Sequence, residues 1–362
     1  MKRKKRLVIG AALLVIILLS GAAGGWCWMK GENLRFVQKM GNGINLGNTL
    51  EATNLWDYKP DADELDFEIF WGNPKVEPEQ FDAIYEAGFR TVRIPVTWED
   101  HIDANGTIYK VWMERVQEVV DMALATDLYV IINTHHETWL DLKVEEEAEI
   151  TERFSVVWRQ IATHFSEYDE HLLFEGMNEP RLRDSEHEWD EGTPRMQEMV
   201  NQLNAAFVET VRDIHGNQDR YLLIGAYATS SFMKALKVLE IPKGHIIVSV
   251  HAYLPYQFCQ NEDGNDEWSA TNLQDTREIE EAFDNMHQLF VSKGIPVILS
   301  EYGCVDKMNL MSRTAWAEFY HKKAKEKGVA CIWWDNGSTY QLLDREKGRW
   351  VYPEIVKTIV GR

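Results

Sequence analysis

Leu172-Leu173-Phe174-Glu175-Gly176-Met177-Asn178-Glu179-Pro180 is a nearly unbroken apolar run that finishes in an amide, a carboxylate and a proline. A short apolar run of this kind reads as a strand buried on both faces. Such a strand does not end in Asn178 and Glu179 unless that end opens onto something polar, because an unpaired buried carboxylate is costly. Pro296-Val297-Ile298-Leu299-Ser300-Glu301-Tyr302-Gly303 repeats the pattern further along the chain.

Working outward from these two, the same reading predicts strands over residues 43–50, 91–98, 129–136, 221–227, 245–253 and 329–337. Helical periodicity fills the gaps, at 78–87, 111–126, 145–165, 194–215, 276–293 and 313–327. Several of these helices carry the expected punctuation, such as Pro78 at a start and Gly88, Gly294 and Gly328 at ends. Eight strands alternating with helices read as βαβ units, and their number favours a closed (β/α)8 TIM barrel over an open sheet. No linker follows residue 32 and no repeat of solenoid length occurs, so residues 33–362 are expected to form one catalytic domain.

Polar and aromatic residues recur at the C-terminal ends of the predicted strands: Asn48, Arg93, His135, His136, Asn178, Glu179, His251, Tyr253, Glu301 and Trp334. In a (β/α)8 barrel those ends face the active-site mouth. Glu179 and Glu301 fall on the fourth and seventh strands, on opposite sides of that mouth. Two facing carboxyl groups are what glycosidic cleavage needs, one protonated to donate and one ionised to attack. The alternative for either glutamate alone is half of a structural ion pair, and the pair of them on two strand ends among other polar residues makes that reading weaker. The histidines beside them raise the question of a zinc hydrolase. Adjacent strand residues point to opposite faces, so His135 and His136 are not expected to share an ion. No metal and no cofactor are expected.

The sequence resembles glycoside hydrolase family 5, the cellulase family, across residues 35–360. The resemblance rests on Val92-Arg93-Ile94-Pro95-Val96-Thr97-Trp98, Asn133-Thr134-His135-His136, Asn178-Glu179-Pro180, His251-Ala252-Tyr253, Ser300-Glu301-Tyr302-Gly303 and Trp333-Trp334-Asp335-Asn336-Gly337, in that order. Asn45-Leu46-Gly47-Asn48-Thr49-Leu50 and Trp71-Gly72-Asn73-Pro74 look like the endoglucanases and xyloglucanases of subfamily 4. The resemblance implies Glu179 as acid/base and Glu301 as nucleophile. It further implies that Asn178 bonds the sugar 2-hydroxyl and that Tyr253 and Arg93 act on the nucleophile. His251 would adjoin the acid/base, His135 and His136 would contact the glycan, and Trp334 would stack under the sugar. Where many relatives carry an aspartate after the histidine pair, this chain has Glu137.

Bottom-up, the residue types agree, since an aromatic face suits the C–H face of a pyranose and amides suit its hydroxyls. Among 14 Trp and 13 Tyr, Trp56, Trp71, Trp98 and Trp139 stand near expected rim loops and are weighed as glycan contacts against plain core packing. The expected activity is retaining, endo-acting hydrolysis of β-1,4-glucan backbones. The alternatives are a β-mannanase of the same family and a catalytically silent surface glycan-binding protein.

The net charge of −20 disfavours nucleic acid or an anionic membrane as partner. Lys2, Arg3, Lys4, Lys5 and Arg6 precede an apolar run and then Gly21, Ala22 and Ala23, the pattern of an export leader. Residues 1–32 therefore read as a signal peptide, or as a retained membrane anchor through 7–28. Both place the enzyme outside the cytoplasm. Cys259, Cys304 and Cys331 lack metal spacing, and their odd number leaves at least one free thiol. A monomer is the default expectation.

Overall fold

The computed structural model describes residues 31–362. The choice between a cleaved leader and an anchor lies outside the described residues. Eight parallel strands close into a barrel: β1 (Gly43–Asn45), β2 (Thr91–Ile94), β3 (Tyr129–Asn133), β4 (Leu172–Glu175), β5 (Leu222–Ser230), β6 (Ile246–His251), β7 (Val297–Tyr302) and β8 (Ala330–Trp333). Each pairs with its sequence neighbour, and β1 pairs with β8 to close the ring.

The helices that cross back are α1 (Pro78–Ala87), α2 (Lys110–Leu124), α3 (Glu147–His164), α4 (Pro194–Arg212), α5 (Met233–Lys237), α6 (Leu273–Leu289), α7 (Leu310–Lys327) and α8 (Pro353–Val360). Local chemistry sets several ends. Pro78 fills the first position of α1, and Gly88, at φ 115°, stops it in a conformation that L side chains rarely adopt. Thr193 caps α4 by accepting the Met196 N–H at 3.3 Å. The five-residue α5 and the C-terminal α8 carry too short a pattern for periodicity to reveal, and the sequence reading omits both.

Most strands stop earlier than the sequence predicts. Beyond Glu175, for example, the chain leaves the ladder, and the Asn178 N–H bonds the Thr134 carbonyl at 2.9 Å. Several residues read as strand ends, among them Asn48, His135, His136, Asn178, Glu179, Tyr253 and Trp334, thus lie in the first turns of the mouth loops, whereas Arg93, His251 and Glu301 stay within their strands.

Two cores result. The outer one lies between strands and helices. The inner one fills the barrel with Ile131, Leu173, Leu223, Ile247, Ile298 and Ile332, closed from below by Phe36, Val37 and Met40. Those three belong to a helical stretch, residues 31–40, where a linker was expected up to 32. Phe36 stacks on Tyr221 with ring centres 3.6 Å apart. Burying a side chain of this size contributes roughly 1.5–3 kcal/mol.

Two residues further along the strands, the period-two alternation brings Asn45, Arg93, Asn133, Glu175, Ser249 and Ser300 into one layer. All six are buried. An apolar plug therefore carries a polar floor.

Candidate active site

Arg93 is the centre of that floor. Its Nε and Nη2 reach Glu175 Oε2 at 2.7 and 2.6 Å, and Nη1 reaches Glu301 Oε1 at 2.7 Å. It also donates to Asn45 Oδ1 and Asn178 Oδ1, each at 2.9 Å. Burial works against its charge, but the Glu175 and Glu301 carboxylates more than restore it, so its pKa is raised. Glu175 is satisfied in turn by Asn133 at 3.0 Å and by the Ser249 hydroxyl at 2.6 Å. A fully buried charge pair is tolerable when every member is hydrogen-bonded in this way.

Above the floor stand two glutamates. Glu179 follows β4 with φ at 40°, a strained conformation for a side-chain-bearing residue, and the Thr229 hydroxyl oxygen fixes its N–H at 3.1 Å. Glu301 lies near the end of β7, where the pairing with β6 shifts register and sets His251 opposite Glu301. One oxygen of each carboxylate and a ring nitrogen of His251 lie within 4.8 Å of one another. The Tyr253 hydroxyl donates to Glu301 Oε2 at 3.0 Å. His251 Nδ1 pairs with Glu179 Oε1 at 2.8 Å and stands 3.5 Å from Glu301 Oε2.

These groups compete for protons. Burial raises Glu301, opposed by the charges of His251 and Arg93. Burial would raise Glu179 as well, but its hydrogen bond to His251 and the charge of that ring outweigh burial and lower it. His251 is raised: burial opposes its charge, and Glu301 and Glu179 together overcome that. The proton of the His251–Glu179 hydrogen bond therefore rests on His251 Nδ1, which donates it towards the Glu179 carboxylate. Tyr253 stays a donor, since burial and then the Glu301 charge push its pKa well up.

The same three groups lie close enough together to surround a cation. Their chemistry does not fit one. Glu301 already spends both oxygens on Arg93 and Tyr253, His251 Nδ1 is taken by Glu179, and an ion would face the Arg93 guanidinium.

Around the glutamates lie the other expected residues. Asn178 is held by Arg93 through its oxygen, which leaves its amide N–H groups for a ligand. His135 is buried and its pKa lies well below the usual value, through burial and then the neighbouring His136. His136 is pushed down to about 4 by burial. The Trp334 ring lies parallel to His135 with centres 5.9 Å apart. His136 sits 5.7 Å from the ring of Trp71, which is 37% exposed.

Some expectations need correction. The His135 and His136 rings are 4.4 Å apart, because β3 ends at Asn133 and strand alternation no longer separates them. Trp98 is fully buried, with Nε1 donating to the Asn133 carbonyl at 2.9 Å, so it is core. Trp56 donates to the Ala62 carbonyl and packs on Phe67. Trp139 donates to Glu137 at 3.0 Å under the Arg153 guanidinium. Asn48 serves its turn through its backbone: φ is 56°, its N–H bonds Glu51, and its carbonyl accepts from Asn73. All three described cysteines are free and buried.

The sequence reading missed Glu175, hidden inside an apolar run, and Arg181, whose Nη1 donates to the Glu179 carbonyl at 3.0 Å. Glu137 accepts from the Trp98 N–H at 2.8 Å, and burial raises its pKa to about 8.

A closed (β/α)8 barrel with two carboxylates this close across its mouth defines a glycoside hydrolase. Residues 57–339 match the cellulase family, glycosyl hydrolase family 5, and the chain belongs to that family. It is 43% identical over 334 residues to Endoglucanase 1 of Ruminococcus albus, covering 89% of this chain and 79% of that protein. It is 39% identical over 336 residues to Endoglucanase A of Clostridium longisporum, covering 90% of this chain but 64% of that longer protein. Among solved structures, a GH5-4 broad specificity endoglucanase from Ruminococcus champanellensis with bound cellotriose superposes with a TM-score of 0.86. That match has 35% identity over 90% of this chain and 97% of the other.

Proposed function

We propose that this enzyme hydrolyses β-1,4-glucan backbones internally and with retention, with Glu301 as nucleophile and Glu179 as acid/base. One observation carries the reading: one oxygen of Glu179 and one of Glu301 lie within 4.8 Å of each other, while Glu301 is gripped by both Arg93 and Tyr253. Inverting enzymes keep their carboxyl groups ~6.5–9.5 Å apart to admit a water, whereas retaining ones hold them at ~5–5.5 Å.

Glu301 attacks the anomeric carbon as the bond to the leaving oxygen breaks. That oxygen takes the proton held between His251 and Glu179. Arg93 and Tyr253 favour the ionised form of Glu301 against its burial. In the second step Glu179 takes a proton from water, and the resulting hydroxide releases the sugar from Glu301. Asn178 is placed to bond the 2-hydroxyl, Trp334 to stack under the sugar, and His135 and His136 to contact neighbouring hydroxyls.

The relatives named endoglucanases, and the bound cellotriose, support glucan as the substrate. The basic and apolar pattern of residues 2–23 supports export, and mass spectrometry of the mature N-terminus decides between cleavage and anchoring through 7–28.

The test is Glu301→Gln against the parent enzyme on xyloglucan, lichenan, carboxymethylcellulose and mannan. Turnover should fall by about 10³-fold or more while glycan binding persists. Undiminished turnover would remove Glu301 from the mechanism. A parent enzyme faster on mannan than on glucans makes it a mannanase, and binding without turnover makes it a silent glycan-binding protein.

A further inference from the structure

The loops on either side of Trp334 are fastened together by a buried arginine that no step above uses. A small hairpin follows β8, from β9 (Leu343–Asp344) to β10 (Arg349–Trp350), and Arg345 begins its turn. Arg345 and its partner Asp335 are both buried. Asp335 Oδ1 pairs with Arg345 Nη2 at 3.1 Å, and Oδ2 accepts the Leu342 and Leu343 N–H groups at 2.7 and 2.9 Å. Charge-assisted bonds of this kind are among the stronger ones, and burial strengthens them further.

The other donors of Arg345 go mostly to backbone. Nη1 reaches the Gly47 carbonyl at 2.8 Å and the Thr49 hydroxyl at 3.0 Å, and Nη2 reaches the Asp335 carbonyl at 2.5 Å. The Gly47 N–H meets that same Asp335 carbonyl at 2.9 Å. Asn73 adds its amide nitrogen, 2.9–3.2 Å from the carbonyls of Gly47, Asn48 and Asn336. The loop after β1 and the loop after β8 therefore move as one. Trp334 is caught between them. A methyl group at Gly47 would come within 2.8 Å of the indole and 2.9 Å of the Asp335 carbonyl, so the ring rests directly against the Gly47 backbone.

We propose that Arg345 is a positioning residue for the reaction: by holding Gly47 to Asp335 it fixes the Trp334 indole in place under the sugar. The inference rests on Trp334 as the stacking ring. Arg345 touches no substrate and acts only through that ring. A pyranose gains most from an aromatic face that is already set at contact distance, because a ring that must first be ordered spends part of the gain. Arginine suits the task. Its planar fork serves two carbonyls, a hydroxyl and a carboxylate at once, where a lysine ammonium has three donors on a flexible stem.

The experiment is a double-mutant cycle on cellotetraose with the parent, Arg345→Met, Trp334→Ala and the double variant, each assayed below its melting transition. Arg345→Met should lower kcat/KM about tenfold in the parent, and by less than about twofold once residue 334 is Ala. A loss of folded enzyme would instead multiply equally into both backgrounds, and equal falls overturn the proposal. Arg345→Lys keeps a charge against Asp335 and should recover part of the loss. The same cycle is read from Arg345→Lys if Arg345→Met does not fold. No fall with either variant in the parent background also overturns the proposal. Trp334→Ala alone tests the reading beneath it: full kcat/KM for that variant would remove the stacking ring, whatever Arg345 does.

Discussion

Arg93 gives two of its nitrogens to Glu175 and one to Glu301, all within 2.6–2.7 Å. The buried Glu175 thus neutralises the guanidinium that Glu301 also uses. Replacing Glu175 by Gln leaves Arg93 less compensated, and its charge then bears more strongly on Glu301. Two outcomes are expected. Stability drops by about 3–5 kcal/mol, as when one partner of a buried pair is removed, read by urea denaturation. The acid limb of kcat/KM also moves to lower pH, because Glu301 ionises more readily. An unchanged urea midpoint would show that the pair contributes nothing.

His251 bears on both carboxyl groups, and its removal should move both limbs of the pH profile. It lowers Glu179 through their hydrogen bond and lowers Glu301 through its charge. In His251→Asn both carboxyl groups lose that influence, so the whole bell shifts to higher pH with a lower maximum. A stability effect accompanies it. The raised folded pKa of His251 gives stability that is complete below the unfolded value of ~6.5 and is lost as pH rises through the folded one. The variant should lose that slope. Limbs that stay in place would separate His251 from the titration.

Much of this was legible from strand endings alone. The apolar runs ending in Asn178-Glu179 and Ser300-Glu301 located the mouth, because a buried strand tolerates polar groups only where they meet partners or solvent. Glu175 was not legible, since its justification is Arg93, which reaches it across the barrel from another strand. Trp98 misled for a related reason. Position along the chain puts it near the rim, but its direction is set by a hydrogen bond to Asn133. The 31–40 helix was not read as an element, because its three buried residues make sense only against the open bottom of a barrel.

Trp98 and Trp71 should separate stability from binding. Trp98→Ala removes a fully buried indole and costs about 3–5 kcal/mol, visible as a lower melting temperature. Trp71→Ala removes a partly exposed ring beside His136 and should cost less than about 1 kcal/mol. Its effect falls instead on KM for polymeric glucan, measured against an unchanged Tm. The reverse pattern would place Trp98 in the cleft after all.

At the opposite end of the barrel, Phe36 offers a test of whether the plug and the mouth are energetically separate. Phe36 stacks on Tyr221 and is 5% exposed, within the apolar layer below the polar floor. Phe36→Ala should cost about 3–5 kcal/mol through the cavity it leaves. The floor above has its own closed set of hydrogen bonds from Arg93 to Ser249 and does not draw on Phe36. Below the melting transition, kcat and its pH profile should therefore match the parent. A lowered kcat with an intact far-ultraviolet spectrum would mean that the plug sets the height of the floor, and through Arg93 the position of Glu301.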